Sequence, residues 1–158
     1  MTLPTAVDDN PLLTFPGLPR FDAVRAGHVA PAIDYLLREA RGAVERVAND
    51  AAPPTWDTLV EPLADVLDRL DRAWSAVNHL NAVVSTKAMR DAYHANLPKI
   101  TDFYTDLGQD SRLYERYKAL RQSPRWHALS DAEKRVIDNE LRDFKLSGAE
   151  LPAFEKAR

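Results

Sequence analysis

Apolar residues recur along most of the chain at steps of three and four, which is the spacing of one face of an α-helix. The pattern first runs over residues 26–48, where it predicts a helix. Its expected buried face consists of Val29, Ile33, Leu36, Ala40, Val44 and Val47. We expect Pro31 in the first turn, where its missing amide costs little. Asn49-Asp50 and Pro53-Pro54 end the helix, since proline cannot continue it.

A longer apolar stripe follows Thr55, a residue suited to cap the amino end of a second helix. The expected stripe consists of Leu59, Leu63, Val66, Leu70, Trp74, Val77, Leu80 and Val84. Pro62 is expected to kink this helix or to divide a short turn from its main body. Ser85-Thr86 closes it.

A third helix is predicted over about 87–107, with a kink near Ala95-Asn96 because Pro98 lies inside it. Gly108 is its expected C-cap. The side chains expected to be buried are Met89, Tyr93, Leu97, Ile100, Phe103 and Tyr104.

Two shorter helices follow. One covers about 110–122, carries Leu113, Tyr117 and Leu120, and stops at Ser123-Pro124. The other begins with a capping box, Ser130 followed three residues later by Glu133, and Gly148 is its expected C-cap. Its apolar face consists of Val136, Ile137, Leu141 and Phe144. No strand pattern is present, so the predicted fold class is all-α, an irregular bundle of about five helices.

The ends of the chain differ from this bundle, which we place at residues 26–151. Residues 1–25 are rich in proline and predict an extended N-terminal arm. The arm carries Leu12, Leu13, Phe15, Leu18 and Phe21, so we expect it to lie across a helical surface. Residues 152–158 resemble the opening of a helix of barely two turns, which is marginal in isolation. We therefore expect the chain to be truncated within a helix.

Composition narrows the function classes. The chain has 158 residues, the size of one domain, and 45% of them are hydrophobic, which suits a folded core. The absence of cysteine excludes disulfides, cysteine zinc sites and a cysteine nucleophile. A net charge of −3 gives no electrostatic reason to bind nucleic acid or an anionic membrane. Residues 1–10 lack the bases and the apolar stretch of a secretory signal, so we expect a cytoplasmic protein.

The four histidines do not form a recognisable metal motif. None of His28, His79, His94 and His127 has a second histidine three or four residues away, so no helix presents an HExxH zinc site. His94 with Asp91 is either part of a metal site or an ordinary surface contact. His79, within Asn78-His79-Leu80-Asn81, either lines a substrate channel or is a hydrogen-bonded packing residue. We assign no catalytic, cofactor-binding or metal-ligating residue to the chain.

Two charged segments also leave alternatives open. Asp65, Asp68 and Asp71 recur at helical spacing with neighbouring arginines, as expected of a solvated face, while a glycosidase pair would need a cleft. The segment 112–126 interleaves basic residues with tyrosines, as in a nucleic-acid patch or a solvated basic helix. No G-x-S-x-G elbow, P-loop or dinucleotide glycine motif is present.

Several segments, taken in order and spacing, resemble the M3 family of zinc oligopeptidases, which includes oligopeptidase A and thimet oligopeptidase. They are Asn10-Pro11-Leu12-Leu13, His28-Val29-Ala30-Pro31-Ala32, Val44-Glu45-Arg46-Val47, Thr55-Trp56, Pro62-Leu63-Ala64, Asn78-His79-Leu80-Asn81, Arg90-Asp91-Ala92-Tyr93, Leu97-Pro98, Asn139-Glu140-Leu141-Arg142-Asp143-Phe144, Leu146-Ser147-Gly148 and Leu151-Pro152. The set extends over nearly the whole chain.

The resemblance implies the N-terminal helical part of a neurolysin-like fold. Members of the family cleave short peptides in a deep channel, and their zinc site, an HExxH helix with a downstream glutamate, lies in the C-terminal part. No positions here match that site. The resemblance thus implies a non-catalytic channel wall, inactive alone, whose partners are peptide substrates and a missing C-terminal catalytic region. Its exposed apolar faces would favour self-association. The alternatives are a stand-alone helical interaction module and, on the basic segment, a nucleic-acid-binding bundle.

Overall fold

The computed structural model describes residues 9–14 and 17–151, and these are helical over most of their length. The helices are α1 (Ala26–Ala48), α2 (Glu61–Val83), α3 (Lys87–Gly108), α4 (Ser111–Gln122) and α5 (Asp131–Leu146). A π-helical turn, Trp56–Val60, precedes α2, and a 3-10 helix, Pro124–Ala128, precedes α5. The described residues contain no strand, and the predicted all-α fold class is confirmed.

The chain folds as two compact units. The first contains the described residues before Gly42 together with Asp65–Thr101. The second contains Gly42–Ala64 together with the described residues from Asp102 onward. The boundaries between the units fall inside α1, α2 and α3. The division into an arm, a bundle and a truncated helix stays a prediction, and residues 152–158 lie outside the described part of the chain.

The core of the first unit is built on the predicted stripe of α1. Val29, Ile33 and Ala40 are fully buried, because removing apolar surface from water drives their packing. The other helices contribute buried side chains at helical spacing: Leu70, Ala73, Ala76, Val77 and Leu80 from α2, and Met89 and Ile100 from α3. The predicted stripe of α1 is thereby confirmed in this unit, whereas Val66, Trp74, Tyr93 and Leu97, also predicted to be buried, are only half-buried.

The core of the second unit takes the last two turns of α1 and the apolar faces of α4 and α5. Its buried side chains include Val44, Val47, Leu59, Leu113, Tyr117, Leu120, Ile137 and Phe144. The Tyr117 and Phe144 rings lie 5.7 Å apart, within the range of favourable aromatic contacts. Tyr114, which the periodicity did not assign to the core, is also buried.

Some predicted positions are wrong. Val84 is 56% exposed because α2 ends at Val83, so this residue no longer follows the helical stripe. Val136 is 39% exposed, whereas its neighbour Ile137 is fully buried. Pro31 lies in the second turn of α1, since the helix already begins at Ala26.

The start of α2 confirms the predicted cap at Thr55. Its side chain accepts a hydrogen bond from the Thr58 amide at 3.1 Å, and Thr58 Oγ1 accepts one from the Thr55 amide at 3.1 Å. This reciprocal pair satisfies two amides that a helix start leaves free. The chain then forms the π-helical turn, and α2 proper begins at Glu61, immediately before Pro62. The proline thus lies where a short turn is divided from the main helix.

Both ends of α5 have the capping predicted for them. The Ser130 amide donates to Glu133 Oε2 at 2.7 Å, and Ser130 Oγ accepts from the Glu133 amide at 3.3 Å. At the other end, the Gly148 amide donates to the Lys145 carbonyl and the Ala149 amide to the Phe144 carbonyl. Gly148 has φ +85°, so this is a Schellman motif that requires the left-handed conformation.

Gly108 has a different role from the expected C-cap. It is the last residue of α3, and Gly148 is the glycine with positive φ in the described chain. A Cβ atom at position 108 would lie 2.9 Å from Ser147 Oγ and 3.1 Å from Ser147 Cβ. Glycine is therefore required here by the close approach of the turn that follows α5.

The described part of the arm is anchored by a buried asparagine. Asn10 Nδ2 donates to the His28 carbonyl at 2.9 Å, and Asn10 Oδ1 accepts from the Leu12 amide at 3.0 Å. Leu12 is fully buried, as expected of an arm laid on a helical surface, but Leu18 is 89% exposed. Phe15 lies outside the described residues.

Replacement of Gly148 by alanine should destabilise the chain by about 1–2 kcal/mol, because a Cβ atom is strained at this positive φ. Gly42→Ala is the matched control, since a Cβ atom in α1 would meet only the end of the Arg46 side chain at 3.4 Å. The control should be neutral or stabilising by up to about 1 kcal/mol. Urea denaturation measures both changes, and equal effects would contradict the assignment of the Schellman motif.

Replacement of Asn10 by alanine should lower the free energy of unfolding by about 1–3 kcal/mol. The change leaves the His28 carbonyl and the Leu12 amide without their side-chain partner in a buried position. Asn139→Ala, at an exposed position of α5, is the control and should change stability little. Thermal unfolding followed by circular dichroism compares the two, and an unchanged midpoint for Asn10→Ala would disprove the anchor.

Candidate functional site

The first unit contains a groove of about 640 Å³ between the residues that precede α1 and the junction of α2 with α3. We call it the unit 1 groove. It is lined by Phe21, Asp22, Val24, Arg25, Ala26, Gly27, Leu80, Val84, Thr86, Ala88 and Met89. Its volume lies in the range of ligand pockets, and most of the lining is apolar.

One wall of the groove depends on the tight reversal between α2 and α3. The amides of Val84 and Ser85 both donate to the Leu80 carbonyl, at 3.0 and 3.1 Å. Ser85 has φ 46°, in the left-handed region, which turns the chain. Thr86 Oγ1 then accepts a hydrogen bond from the Met89 amide at 3.2 Å, as the N-cap of α3. Leu80, Val84 and Met89 therefore lie beside one another.

The other wall is held by contacts of the arm, both with α2 and within the arm itself. Arg72 Nη2 donates to the Gly17 carbonyl at 3.1 Å, and the Phe21 ring lies 5.1 Å from the His79 ring. Arg25 Nη1 donates to the carbonyls of Asp22 and Val24, at 2.7 and 2.9 Å. These contacts fix an irregular segment over the helix surface, so the groove has two ordered walls.

Large apolar side chains beside the groove face solvent. Phe21 is 40% exposed and Val84 is 56% exposed, and both line the groove. Val83, which precedes Val84, is 64% exposed. With Leu18, three residues before Phe21, they form what we call the apolar patch. The patch and the groove offer apolar contact, and the titratable side chains of the lining are Asp22 and Arg25.

His28 has a structural role. Its Nδ1 accepts a hydrogen bond from the Arg25 amide at 3.1 Å, while the His28 amide donates to the Arg25 carbonyl at 2.9 Å. His28 is the third residue of α1, so its ring takes the place that glutamate or glutamine occupies in a capping box. His79 is exposed and rests against Phe21, next to the groove-lining Leu80.

The other two histidines do not join an acidic cluster. Asp91 accepts a hydrogen bond from Lys87 at 2.6 Å, and this bond holds the pKa of the Asp91 carboxyl below its usual value. The His94 ring meets the Tyr93 ring edge-on, at 5.3 Å. His127 is exposed in the 3-10 helix. Of the two interpretations of Asp91 and His94, the structure favours an ordinary surface contact.

Zinc requires at least three converging protein ligands. Across residues 9–14 and 17–151, no three His, Asp or Glu side chains come together to hold a metal ion. The described residues therefore do not fit a zinc site.

The acidic residues of α2 behave as surface charges. Asp68 and Arg72 lie 3.8 Å apart, one helical turn from each other, and both are substantially exposed. Among the described helices, none is long and apolar enough to cross a membrane.

The basic segment of the second unit is largely neutralised by acids. Arg112 pairs with Glu45 and Asp110, at 2.8 and 2.7 Å. Lys118 pairs with Glu115 at 2.8 Å, and Arg121 pairs with Asp138 at 2.7 Å. Arg116 Nη1 donates to the Asp50 and Ala52 carbonyls. These contacts favour the solvated-helix interpretation over a phosphate-binding patch, because counterion release requires unpaired cations.

Comparison with known proteins gives a consistent result. Residues 33–156 match the family model described as Neurolysin/Thimet oligopeptidase, N-terminal domain. The chain is 43% identical over 149 residues to Oligopeptidase A of Escherichia coli strain K12 and 42% identical over 149 residues to Oligopeptidase A of Salmonella typhimurium. It is 39% identical over 145 residues to the Probable cytosolic oligopeptidase A of Arabidopsis thaliana.

These similarities cover 94% of this chain for the two bacterial relatives and 92% for the plant relative. The chain spans only 22%, 22% and 20% of the lengths of those proteins. The matched family model extends over most of the sequence, including four of the five described α-helices in full. The chain belongs to the neurolysin/thimet oligopeptidase (M3) family and corresponds to its N-terminal region.

Proposed function

We propose that this chain is the non-catalytic N-terminal part of a zinc oligopeptidase that hydrolyses short peptides. The observation that carries the proposal is the family match over residues 33–156, together with relatives named Oligopeptidase A that are more than four times as long. The parent enzyme would activate water with zinc and use a glutamate as general base. Because the described residues do not fit a zinc site, we place the metal and the catalytic groups in the remainder of the parent.

We further propose that this part forms a wall of the substrate channel. Helices α1 to α3 are long, and each contributes several buried apolar side chains, which suits a rigid scaffold. The partners we propose are peptides and the C-terminal catalytic region. We propose no nucleic-acid partner, in keeping with the ion-paired basic segment, and no membrane partner.

A cytoplasmic location is also proposed. It is supported by the name of the Arabidopsis relative, Probable cytosolic oligopeptidase A. Fractionation of the source cells with detection by a specific antibody tests it. Recovery in a membrane or secreted fraction would contradict the proposal.

The isolated chain should bind less than one equivalent of zinc and should not hydrolyse a short quenched-fluorescent peptide, because residues 9–14 and 17–151 contain no set of converging ligands. A chimera in which it replaces the matching region of E. coli Oligopeptidase A should hydrolyse that peptide. Zinc is measured by elemental analysis and turnover by fluorescence.

The control for this experiment is the E. coli protein without its N-terminal region. Tight one-to-one zinc binding with turnover by the isolated chain would contradict a non-catalytic role. A folded, zinc-loaded but inactive chimera would instead favour the stand-alone interaction module.

A further inference from the structure

We propose that the apolar patch and the unit 1 groove form the surface on which the remainder of the parent polypeptide docks. The inference rests on the proposed function, since it takes the chain to be part of a longer enzyme. It adds a location: the contact is made through Leu18, Phe21, Val83 and Val84 and through the groove beside them.

The residues of the patch belong to the first unit. Phe21 and Val84 line one groove from its two walls, and Leu18 and Val83, close to them in sequence, are also exposed. Single exposed apolar residues are normal on proteins, whereas large apolar side chains that line a concave apolar surface and remain exposed are typical of an interaction site. Most of the groove lining is apolar, and its titratable side chains are Asp22 and Arg25.

The structure also accounts for why this exposure is maintained. The Phe21 segment is fixed by the Arg25 bonds to Asp22 and Val24, and the Val84 segment by two amide bonds to Leu80. Both segments are therefore held by local hydrogen bonds in the conformation that leaves Phe21 and Val84 exposed. The patch is thus a preorganised surface, which lowers the ordering cost of binding.

The length of the relatives identifies the occupant. The chain spans 22% of the bacterial relatives, so about four-fifths of such a protein must be joined to a region like this one. Contacts between domains of one chain typically bury about 600–1,500 Å². A covalently linked partner is held at an effective concentration of about millimolar. It can therefore dock on a smaller apolar surface than a separate protein would need.

A second copy of the chain fits the patch less well. A stable dimer usually buries about 800 Å² on each partner, and it lacks the advantage of linkage. Four partly exposed side chains provide only a small apolar area for such a contact. The expected occupant therefore carries aliphatic or aromatic side chains that enter the groove, with Asp22, Arg25 and Thr86 as the polar groups of its lining.

Cysteine labelling tests the proposal, because the chain has no cysteine of its own. Val84→Cys introduces a thiol in the patch, and Ser75→Cys introduces one at an exposed position of α2. Each variant is made in the isolated chain and in the chimera with the rest of E. coli Oligopeptidase A. The rate of alkylation is then measured by mass spectrometry on the peptide that contains the thiol.

We expect Cys labelling at position 84 to slow by about tenfold or more in the chimera, since a covered thiol reacts only after local opening. Labelling at position 75 should proceed at the same rate in both proteins. Equal labelling of position 84 in the isolated chain and in a folded chimera would overturn the proposal, as would equal protection of both positions. Slower labelling of the isolated chain at higher concentration, with a dimer in sedimentation, would also overturn it in favour of self-association.

The two proposals fail in distinguishable ways. An active chimera with an unprotected thiol at position 84 would reject the docking surface and leave the proposed function standing. A folded but inactive chimera with a protected thiol would reject the peptidase assignment and leave the docking surface standing. Turnover of the chimera that carries the wild-type chain is therefore recorded alongside every labelling experiment.

Discussion

The apolar face of α1 must be kept from water over almost its entire length, and both units are organised around this requirement. From Val29 to Val47, every predicted position of the stripe is at least nine-tenths buried. The first four turns belong to the first unit and the last two to the second. Within the first unit, the described part of the arm is anchored on the first turn of α1 by the Asn10 hydrogen bond to the His28 carbonyl. Within the second unit, α4 and α5 supply the buried side chains that accompany Val44 and Val47.

Much of this organisation was predictable because it depends on interactions between residues that are close in sequence. The caps at Thr55 and Ser130 and the glycine at position 148 are short-range devices whose residue types reveal them. Periodicity identified the buried stripes for the same reason, since a helix fixes which residues share a face. The 3-10 helix Pro124–Ala128 was not predicted, because a short turn of this kind has no apolar period of its own.

Periodicity was least informative where burial depends on distant partners. Tyr114 is buried and its hydroxyl donates to Glu150, a residue 36 positions away. Burial raises the pKa of Tyr114 to about 12, so the phenol remains a donor across the physiological range. The unit 1 groove could not be predicted for the same reason. Phe21 and Met89, which both line it, are 68 positions apart in the sequence and share a groove only in the folded unit. The composition of the arm did indicate that it would contact a helical surface, but not which one.

The candidate site also illustrates how a motif can be meaningful without being catalytic. The segment 78–81 offered polar residues beside an apolar stripe, and the structure places Leu80 in the groove wall with His79 against Phe21. His28 similarly serves as a capping residue. His79 thus makes a packing contact with a groove-lining residue, Phe21, and His28 a hydrogen bond with another, Arg25.

The turn after α5 has a consequence for mechanics. The Schellman bonds at Gly148, the close approach of Ser147 to Gly108 and the Tyr114–Glu150 hydrogen bond together immobilise residues 147–150 against the second unit. Within the second unit, this turn therefore contacts the end of α3 and α4 as well as the helix that it terminates, so its opening would disturb three helices at once.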